Sequence, residues 1–162
     1  MQIQHRRLGR ECALKILFAL RHDANLDQNE LLGRFWENFR FADDALGEPL
    51  DSLDKPIPES AKKFTEQLVS GIVEYRPVLD QRIRDAAKNW SLERMTVVDL
   101  SILRMACFEL CYLPDIPARV TMNEAIEIAK RYGTKESPAF INGLLDKIAQ
   151  KHRQPENKPD NK

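Results

Sequence analysis

Three arginines within the first ten residues form the cluster of this sequence best suited to bind phosphate. Arg6, Arg7 and Arg10 lie at the start of an apolar-periodic segment, and Lys15 follows further along it. A guanidinium group is planar, permanently charged and able to donate two parallel hydrogen bonds to a phosphate. Cations at a helix N-terminus oppose the helix dipole, a cost that a binding function would explain. The spacing alone leaves two alternatives open: a nucleic-acid contact, or solvated charges at the start of a helix.

An aromatic residue, Phe140, occupies the first turn of the last predicted helix, at the edge of its apolar stripe. A ring in such a place can stack on an unpaired base, as RNA-binding proteins commonly arrange, or it can complete the core. Gly143 follows in the same helix, where glycine costs roughly 1 kcal/mol relative to alanine. The glycine therefore indicates close approach of another helix or of a ligand, and the pattern does not decide between them.

An apolar pair on the first predicted helix, Leu14 and Phe18, points away from the main apolar stripe of that helix. This follows from the helical period of about 3.6 residues per turn. Such a pair either packs on another helix of the same chain or contacts a partner. Both alternatives remain open.

Residues that usually carry catalysis or bind metals are not arranged for either task. His5, His22 and His152 lie near predicted helix ends or in the tail, without a nucleophile or a second metal ligand at suitable spacing. No glycine-rich phosphate loop or nucleophile-elbow motif occurs. The cysteines form no CxxC pair and fall within apolar patterns, which predicts buried, reduced thiols at Cys12, Cys107 and Cys111. We therefore expect a protein that is not an enzyme and uses no metal or cofactor.

Charge is balanced over the whole chain but unevenly distributed along it. Basic and acidic residues number 25 each, yet residues 1–22 hold five basic residues against one acid, and residues 23–59 hold ten acids against three basic residues. The balanced total charge gives no support to nucleic-acid binding. The uneven distribution of charge nevertheless allows one cationic edge on a neutral protein. No apolar run approaches the roughly 20 residues of a membrane span. Together with the absence of a signal-peptide pattern, this predicts a cytoplasmic protein.

The elements that must position these residues are predicted to be helices, because helical periodicity recurs in seven segments and strand signals are weak. The seven begin near residues 7, 27, 59, 77, 94, 121 and 137. Pro77 is expected to end the third helix and to open the fourth. The fifth, residues 94–112, is apolar nearly all round and should be the buried centre of an all-α fold. Its polar residue Arg104 predicts a structural ion pair.

Four further expectations concern helix starts and the segments outside the helices. Thr121 with Glu124 is a candidate capping box for the sixth helix, and Ser137 is a candidate N-cap for the seventh. Residues 42–58 are predicted to form an acidic loop, and residues 152–162 a disordered polar tail.

Taken together, five segments resemble the NusB family. They are residues 6–14 (RRLGRECAL), 101–110 (SILRMACFEL), 115–117 (DIP), 120–130 (VTMNEAIEIAK) and 140–147 (FINGLLDK). The similarity covers most of residues 6–151. The resemblance implies one domain over residues 1–151, made of two helical subdomains, about residues 1–88 and 89–151, packed roughly perpendicular to each other.

The resemblance also implies a function: transcription antitermination by binding boxA RNA of ribosomal-RNA transcripts, as a heterodimer with the ribosomal protein NusE. Family membership would further place the chain in the RNA polymerase antitermination complex, and a homodimer is a plausible storage form. By position, the RNA-binding residues would be Arg6, Arg7, Arg10, Lys15, Lys135, Glu136 and Phe140. The residues facing NusE would be Leu14, Phe18, Glu93 and Asp99.

Departures from the family pattern and rival interpretations accompany this resemblance. Leu8 and Gly9 interrupt a run that is often richer in arginine, and Phe18 stands where tyrosine is common. A NusB-like domain of a ribosomal-RNA methyltransferase would continue into a catalytic domain. A pure protein-interaction module would bind no RNA in any combination, and an enzyme would need a deep pocket with converging titratable groups.

Overall fold

The computed structural model describes residues 3–22, 27–38 and 57–152. Over these ranges the chain forms six α-helices and a three-residue 3-10 helix, with no strand, which confirms the all-α prediction. The helices are α1 (Ile3–His22), α2 (Gln28–Asn38), α3 (Glu59–Ala86), α4 (Val97–Tyr112), α5 (Ala118–Tyr132) and α6 (Ser137–His152), with the 3-10 helix at Leu92–Arg94. The predicted polar tail from residue 153, and nearly all of the predicted acidic loop, lie outside the described residues.

The predicted break at Pro77 is wrong, because α3 runs without interruption from Glu59 to Ala86 with Pro77 inside it. Proline removes one backbone hydrogen bond and usually ends or kinks a helix. Here the same face is buried on both sides of it, since Ile72 and Leu79 are seven residues apart and both buried. Pro77 itself is exposed, so water can reach the carbonyl that loses its partner. Packing of one continuous face therefore outweighs the local preference, and one helix forms over residues 59–86 where two were predicted.

The chain divides into two compact units, Met1–Ser70 and Gly71–Lys162. The predicted subdomain boundary near residue 88 stays a prediction. In the first unit α1 packs on α2. Asp27 caps α2, since its Oδ1 accepts hydrogen bonds from the backbone N–H groups of Asn29 and Glu30. The buried apolar residues of this unit include Cys12, Ile16, Leu32, Phe64 and Leu68.

The second unit is organised around α4, on which α5 and α6 both pack. Thr96 caps α4 by accepting a hydrogen bond from the backbone N–H of Asp99. Eleven of the sixteen residues of α4 are buried, including Ile102, Leu103 and Leu110. The prediction that this helix forms the buried centre is confirmed for the second unit.

The predicted capping box at Thr121 and Glu124 is wrong. Helix α5 already begins at Ala118, so both residues lie inside it and are buried. The Thr121 hydroxyl donates instead to Oε1 of Glu109 at 3.1 Å, which supplies a partner to a carboxylate that is 1% exposed. A buried carboxylate on the neighbouring helix competed successfully for the hydroxyl, and this competition is invisible in the local sequence.

The ion pair predicted for Arg104 is confirmed. Its Nε and Nη2 donate to the two carboxylate oxygens of Asp80 at 2.7 and 3.0 Å. Both side chains are largely buried, at 14% and 13% exposure. This two-point geometry fixes α3 against α4 inside the second unit.

All three cysteines are free and buried, as predicted. Burial raises the pKa of Cys12 to about 12, with Lys15 lowering it and Glu11 raising it less strongly. The pKa of the Cys107 thiol is also raised, first by its hydrogen bond with Cys111 and then by burial. Cys12 and Cys107 are therefore poor nucleophiles in the folded protein, and burial restricts access to Cys111 as well.

We expect the folded protein to resist thiol modification at pH 8. The shift of the Cys12 pKa from 9.0 to about 12 lowers its thiolate fraction about a thousandfold, and burial restricts access further. A chromogenic disulfide reagent should detect almost no accessible thiol in native buffer. In denaturant the same reagent should detect three thiols per chain. Rapid stoichiometric labelling of a folded sample would contradict the buried assignment.

Candidate nucleic-acid and partner interface

Two of the three N-terminal arginines lie over the ring of Phe64 in the first unit. The guanidinium carbons of Arg6 and Arg10 are 5.7 and 5.3 Å from the centre of that ring, within cation–π distance. Arg10 is 2% exposed, Arg6 is half-buried and Arg7 is exposed. The arginines that form one cluster in sequence therefore differ in accessibility, and Arg7 presents the most accessible side chain.

The N-terminal part of α1 is fixed on α3 by close contacts around Gly9. The Thr65 hydroxyl lies 3.1 Å from the Gly9 carbonyl and 2.9 Å from the Ala61 carbonyl. A Cβ at position 9 would lie 3.0 Å from Cδ1 of Phe64 and 3.1 Å from the Ala61 oxygen. Gly9, which interrupts the arginine run in sequence, thus permits the close approach that sets the arginines beside Phe64.

The other candidate residues of α1 differ in exposure. Leu14 is fully buried, which is the internal alternative of the two that the sequence left open for it. Phe18 and Lys15 are half-buried and keep accessible surface. Of the apolar pair, Phe18 is the member that a partner could reach.

A small pocket in the second unit brings together three residues predicted for different surfaces. It has a volume of about 270 Å³, and its lining includes Trp90, Arg94, Met95, Asp99, Glu136 and Phe140. The rings of Trp90 and Phe140 meet edge to face, with centres 6.5 Å apart and planes at 66°. We call this site the aromatic pocket. Its size is just below the roughly 300–1,000 Å³ usual for drug-sized ligands, so it suits a single planar group.

Asp99 gives the aromatic pocket an unused hydrogen-bond acceptor. The residue is 7% exposed, and its Oδ1 has no hydrogen-bond partner among the described residues. A buried acceptor without a donor costs roughly 1–3 kcal/mol. A donor from a bound molecule would remove that cost, whether it belonged to a base or to a protein side chain.

The turn before α6 holds two further candidates, Lys135 and Glu136, of which Glu136 lines the aromatic pocket. Ser137 does not cap α6 as predicted; its Oγ accepts from the backbone N–H of Thr134 at 2.9 Å and so closes this turn. Lys135 and Glu136, within the turn, are exposed, as is Glu93 in the 3-10 helix. A Cβ added to Gly143 would meet open space, so no described helix requires glycine at this position.

Trp90 is the residue of this site that sequence reasoning missed. It is 46% exposed, unusual for so large an apolar side chain. Its only sequence signal is its place in a short connection between helices. The pairing with Phe140, fifty residues further on, depends on tertiary structure.

The described ranges contain neither a candidate metal site nor a helix that could span a membrane. Within residues 3–22, 27–38 and 57–152, no group of three or more His, Cys, Asp or Glu side chains is placed to hold a metal ion. None of the helices described there has the length and apolar character needed to cross a membrane.

The fold and these sites define an all-helical binding protein that presents basic and aromatic side chains. A sequence model of the NusB family matches residues 7–150, and the chain belongs to that family. A transcription antitermination protein NusB from Syntrophotalea carbinolica is 50% identical over 144 residues, covering 89% of this chain and 91% of the relative. The chain is thus a transcription antitermination factor, a regulator and not an enzyme.

Solved structures agree with this assignment. T. maritima NusB superposes with a TM-score of 0.76 at 36% identity, covering 95% of this chain and 96% of the other. The structure of antitermination factors NusB and NusE in complex with dsRNA superposes with a TM-score of 0.73, covering 92% and 98%. At 19% identity the latter likeness shows the shared fold alone.

Proposed function

We propose that this chain binds boxA RNA of ribosomal-RNA operon transcripts as a heterodimer with NusE. The observation that carries the RNA part is the aromatic pocket, where the Trp90–Phe140 pair lies beside the carboxylate of Glu136. Single-stranded RNA is recognised by stacking splayed bases on aromatic rings and by hydrogen bonds to base edges. The solved NusB–NusE complex with dsRNA, which has this fold, supports an assembly of the same kind.

The basic residues have a separate role in this proposal. Arg7, exposed on α1, and Lys135, exposed before α6, supply salt-dependent attraction to RNA phosphates. Arg6, Arg10 and Lys15 add to the positive charge of α1. Glu136 lies at the mouth of the aromatic pocket, where a carboxylate can accept from an exocyclic amino group. Phosphate contacts position the strand, and base contacts specify its sequence.

The protein-binding residues are proposed to be Phe18 and Glu93, with Asp99 at the edge of the aromatic pocket. Phe18 offers accessible apolar surface, and the fully buried Leu14 acts from beneath by fixing the helix. Two carboxylates suit a basic partner such as a ribosomal protein. The heterodimer would act in the cytoplasm within the RNA polymerase antitermination complex. A homodimer of this chain would be the storage form of the protein.

The proposal is tested by titrating labelled boxA RNA with this protein, alone and with NusE, at several salt concentrations. A scrambled RNA of equal length is the control. We expect tighter, sequence-selective and salt-sensitive binding when NusE is present. No RNA binding in any combination, with NusE still bound, would leave a protein-interaction module and refute the RNA part.

Replacing Phe140 with alanine is expected to weaken RNA binding by about 1–3 kcal/mol, the usual range for loss of one stacked base. Phe140 is only half-buried, so the helix should keep its fold. Phe35→Ala, which removes a half-buried ring in the first unit, is the matched control and should leave affinity unchanged. Equal affinities of the two variants, with native circular dichroism, would remove Phe140 from the site.

A further inference from the structure

A second pocket in the second unit is lined by six titratable side chains together with the apolar residues Ala86 and Ile148. It has a volume of about 270 Å³ and lies where the last turns of α3 and α6 meet. Its polar lining consists of Arg82, Asp85, Lys88, Lys147, Lys151 and His152. One arginine and three lysines face one carboxylate, an excess of three positive charges at neutral pH. We call this site the basic pocket; none of its residues belongs to the surface described above.

Compensation of the helix ends accounts for only part of this charge. Helix α3 ends at Ala86 and α6 at His152, and each helix C-terminus carries about half a negative charge. Lys147 performs such compensation, since its Nζ lies 3.4 Å from the Ala86 carbonyl oxygen. Two helix ends together offset about one positive charge. The basic pocket therefore keeps an excess that favours a bound anion.

Arg82 shows where such an anion would be held. Its guanidinium carbon lies 5.5 Å from the centre of the Tyr112 ring, which restrains the side chain. Its Nη1 is buried and has no hydrogen-bond partner in the described part of the chain. A buried charged donor without an acceptor is unfavourable, and phosphate oxygens would provide that acceptor.

The electrostatic surroundings of His152 agree with a positive potential in the basic pocket. Burial lowers the pKa of His152, the charges of Arg82 and Lys151 lower it further, and Asp85 opposes them. Lys88 and Lys147, which line the same pocket, add to the cationic side. His152 is therefore a reporter of any anion that enters.

Helix α6 connects the basic pocket to the aromatic pocket. Phe140, Lys147 and Lys151 are separated by seven and four residues, which returns each to the same side of a helix. Seven residues advance roughly 10 Å along the helix axis, a distance that a short stretch of extended single-stranded RNA can span. We infer that the basic pocket binds a backbone phosphate of the RNA whose base lies against Phe140. The inference rests on the proposed RNA binding.

The first test compares two double variants in complex with NusE. Lys147→Gln/Lys151→Gln removes two cations of the basic pocket, and Arg119→Gln/Lys130→Gln removes two exposed cations of α5 outside it. For boxA RNA, the slope of log affinity against log salt should fall in magnitude by about 0.7 in the first variant, one phosphate contact of a single strand. The control should keep the wild-type slope.

The outcomes separate this inference from the proposed function. Shortening the RNA stepwise from each end should abolish the difference between the variants in one of the two series. If the wild-type protein binds RNA and both double variants keep the wild-type salt slope, the basic pocket is not a phosphate contact. If wild type binds no RNA at all, the proposed function fails instead.

The second test follows the imidazole of His152 by NMR, which is practical because the chain has three histidines and His152→Gln assigns the signal. Inorganic phosphate should raise the pKa of His152, since a nearby anion stabilises the charged ring. The RNA–NusE complex should raise it as well. A response to phosphate but not to RNA would assign the pocket to free phosphate and overturn the RNA contact. A response to neither would overturn the phosphate site.

Discussion

Replacing Gly71 with alanine is expected to destabilise the protein by about 3 kcal/mol, the upper part of the usual range for overpacking a core. The new methyl group would overlap Cζ and Cε2 of Phe108 and lie 2.8 Å from Cε1. The ring of Phe108 cannot easily move aside, because it is 5% exposed and stacks with Tyr75 and Tyr112. Urea denaturation followed by circular dichroism would measure the loss as a lower midpoint at unchanged slope.

Gly143→Ala is the matched control, since a Cβ there meets open space. On an exposed helical position alanine should stabilise the protein by up to about 1 kcal/mol. The double variant Gly71→Ala/Phe108→Leu should be less destabilised than the sum of its single changes, because the smaller side chain relieves the overlap. A Gly71→Ala protein as stable as wild type would contradict the close approach of α3 and Phe108.

Replacing Leu103 with alanine should have an effect of similar size, about 2–5 kcal/mol. Leu103 is fully buried on α4, the helix on which α5 and α6 pack. The change removes transfer free energy and leaves a cavity that surrounding helices fill only in part. Thermal or urea unfolding would report the loss, which is a large share of the stability of a domain this small.

Leu100→Ala tests whether burial or helix propensity is responsible. Leu100 lies on the same helix but is half-buried, so the same substitution should cost clearly less. Alanine and leucine have nearly equal helix propensity, which leaves packing as the difference. Equal losses at the two positions would contradict the central place of Leu103.

The parts of the fold that follow from residue periodicity were predictable from sequence. The apolar residues of α4 surround the helix on all sides, and only a buried position accommodates them. The helix break predicted at Pro77 is wrong because the tendency of proline to end a helix is overridden by a continuous buried face. The capping box predicted at Thr121 is wrong because its hydroxyl donates to Glu109 on a neighbouring helix, a contact that no local pattern indicates.

The candidate residues were predictable by type but not by accessibility. Arginine chemistry and the resemblance both pointed to the N-terminal cluster, yet the burial of Arg10 depends on the ring of Phe64, far along the chain. Likewise Phe140 was predictable from sequence, whereas its neighbour Trp90 was not, because an edge-to-face pair between distant residues has no sequence signal.

The contact of Arg6 and Arg10 with Phe64 has a consequence for the entropy of binding. A free arginine side chain loses up to about 2 kcal/mol of conformational freedom when it is immobilised. Where the side chain already rests on a ring, most of that loss occurs during folding, and less remains to be lost when a ligand arrives. In the proposed RNA complex, Phe64 would influence affinity without touching the RNA: a smaller residue there would leave the charge unchanged and make the same guanidinium groups costlier to order.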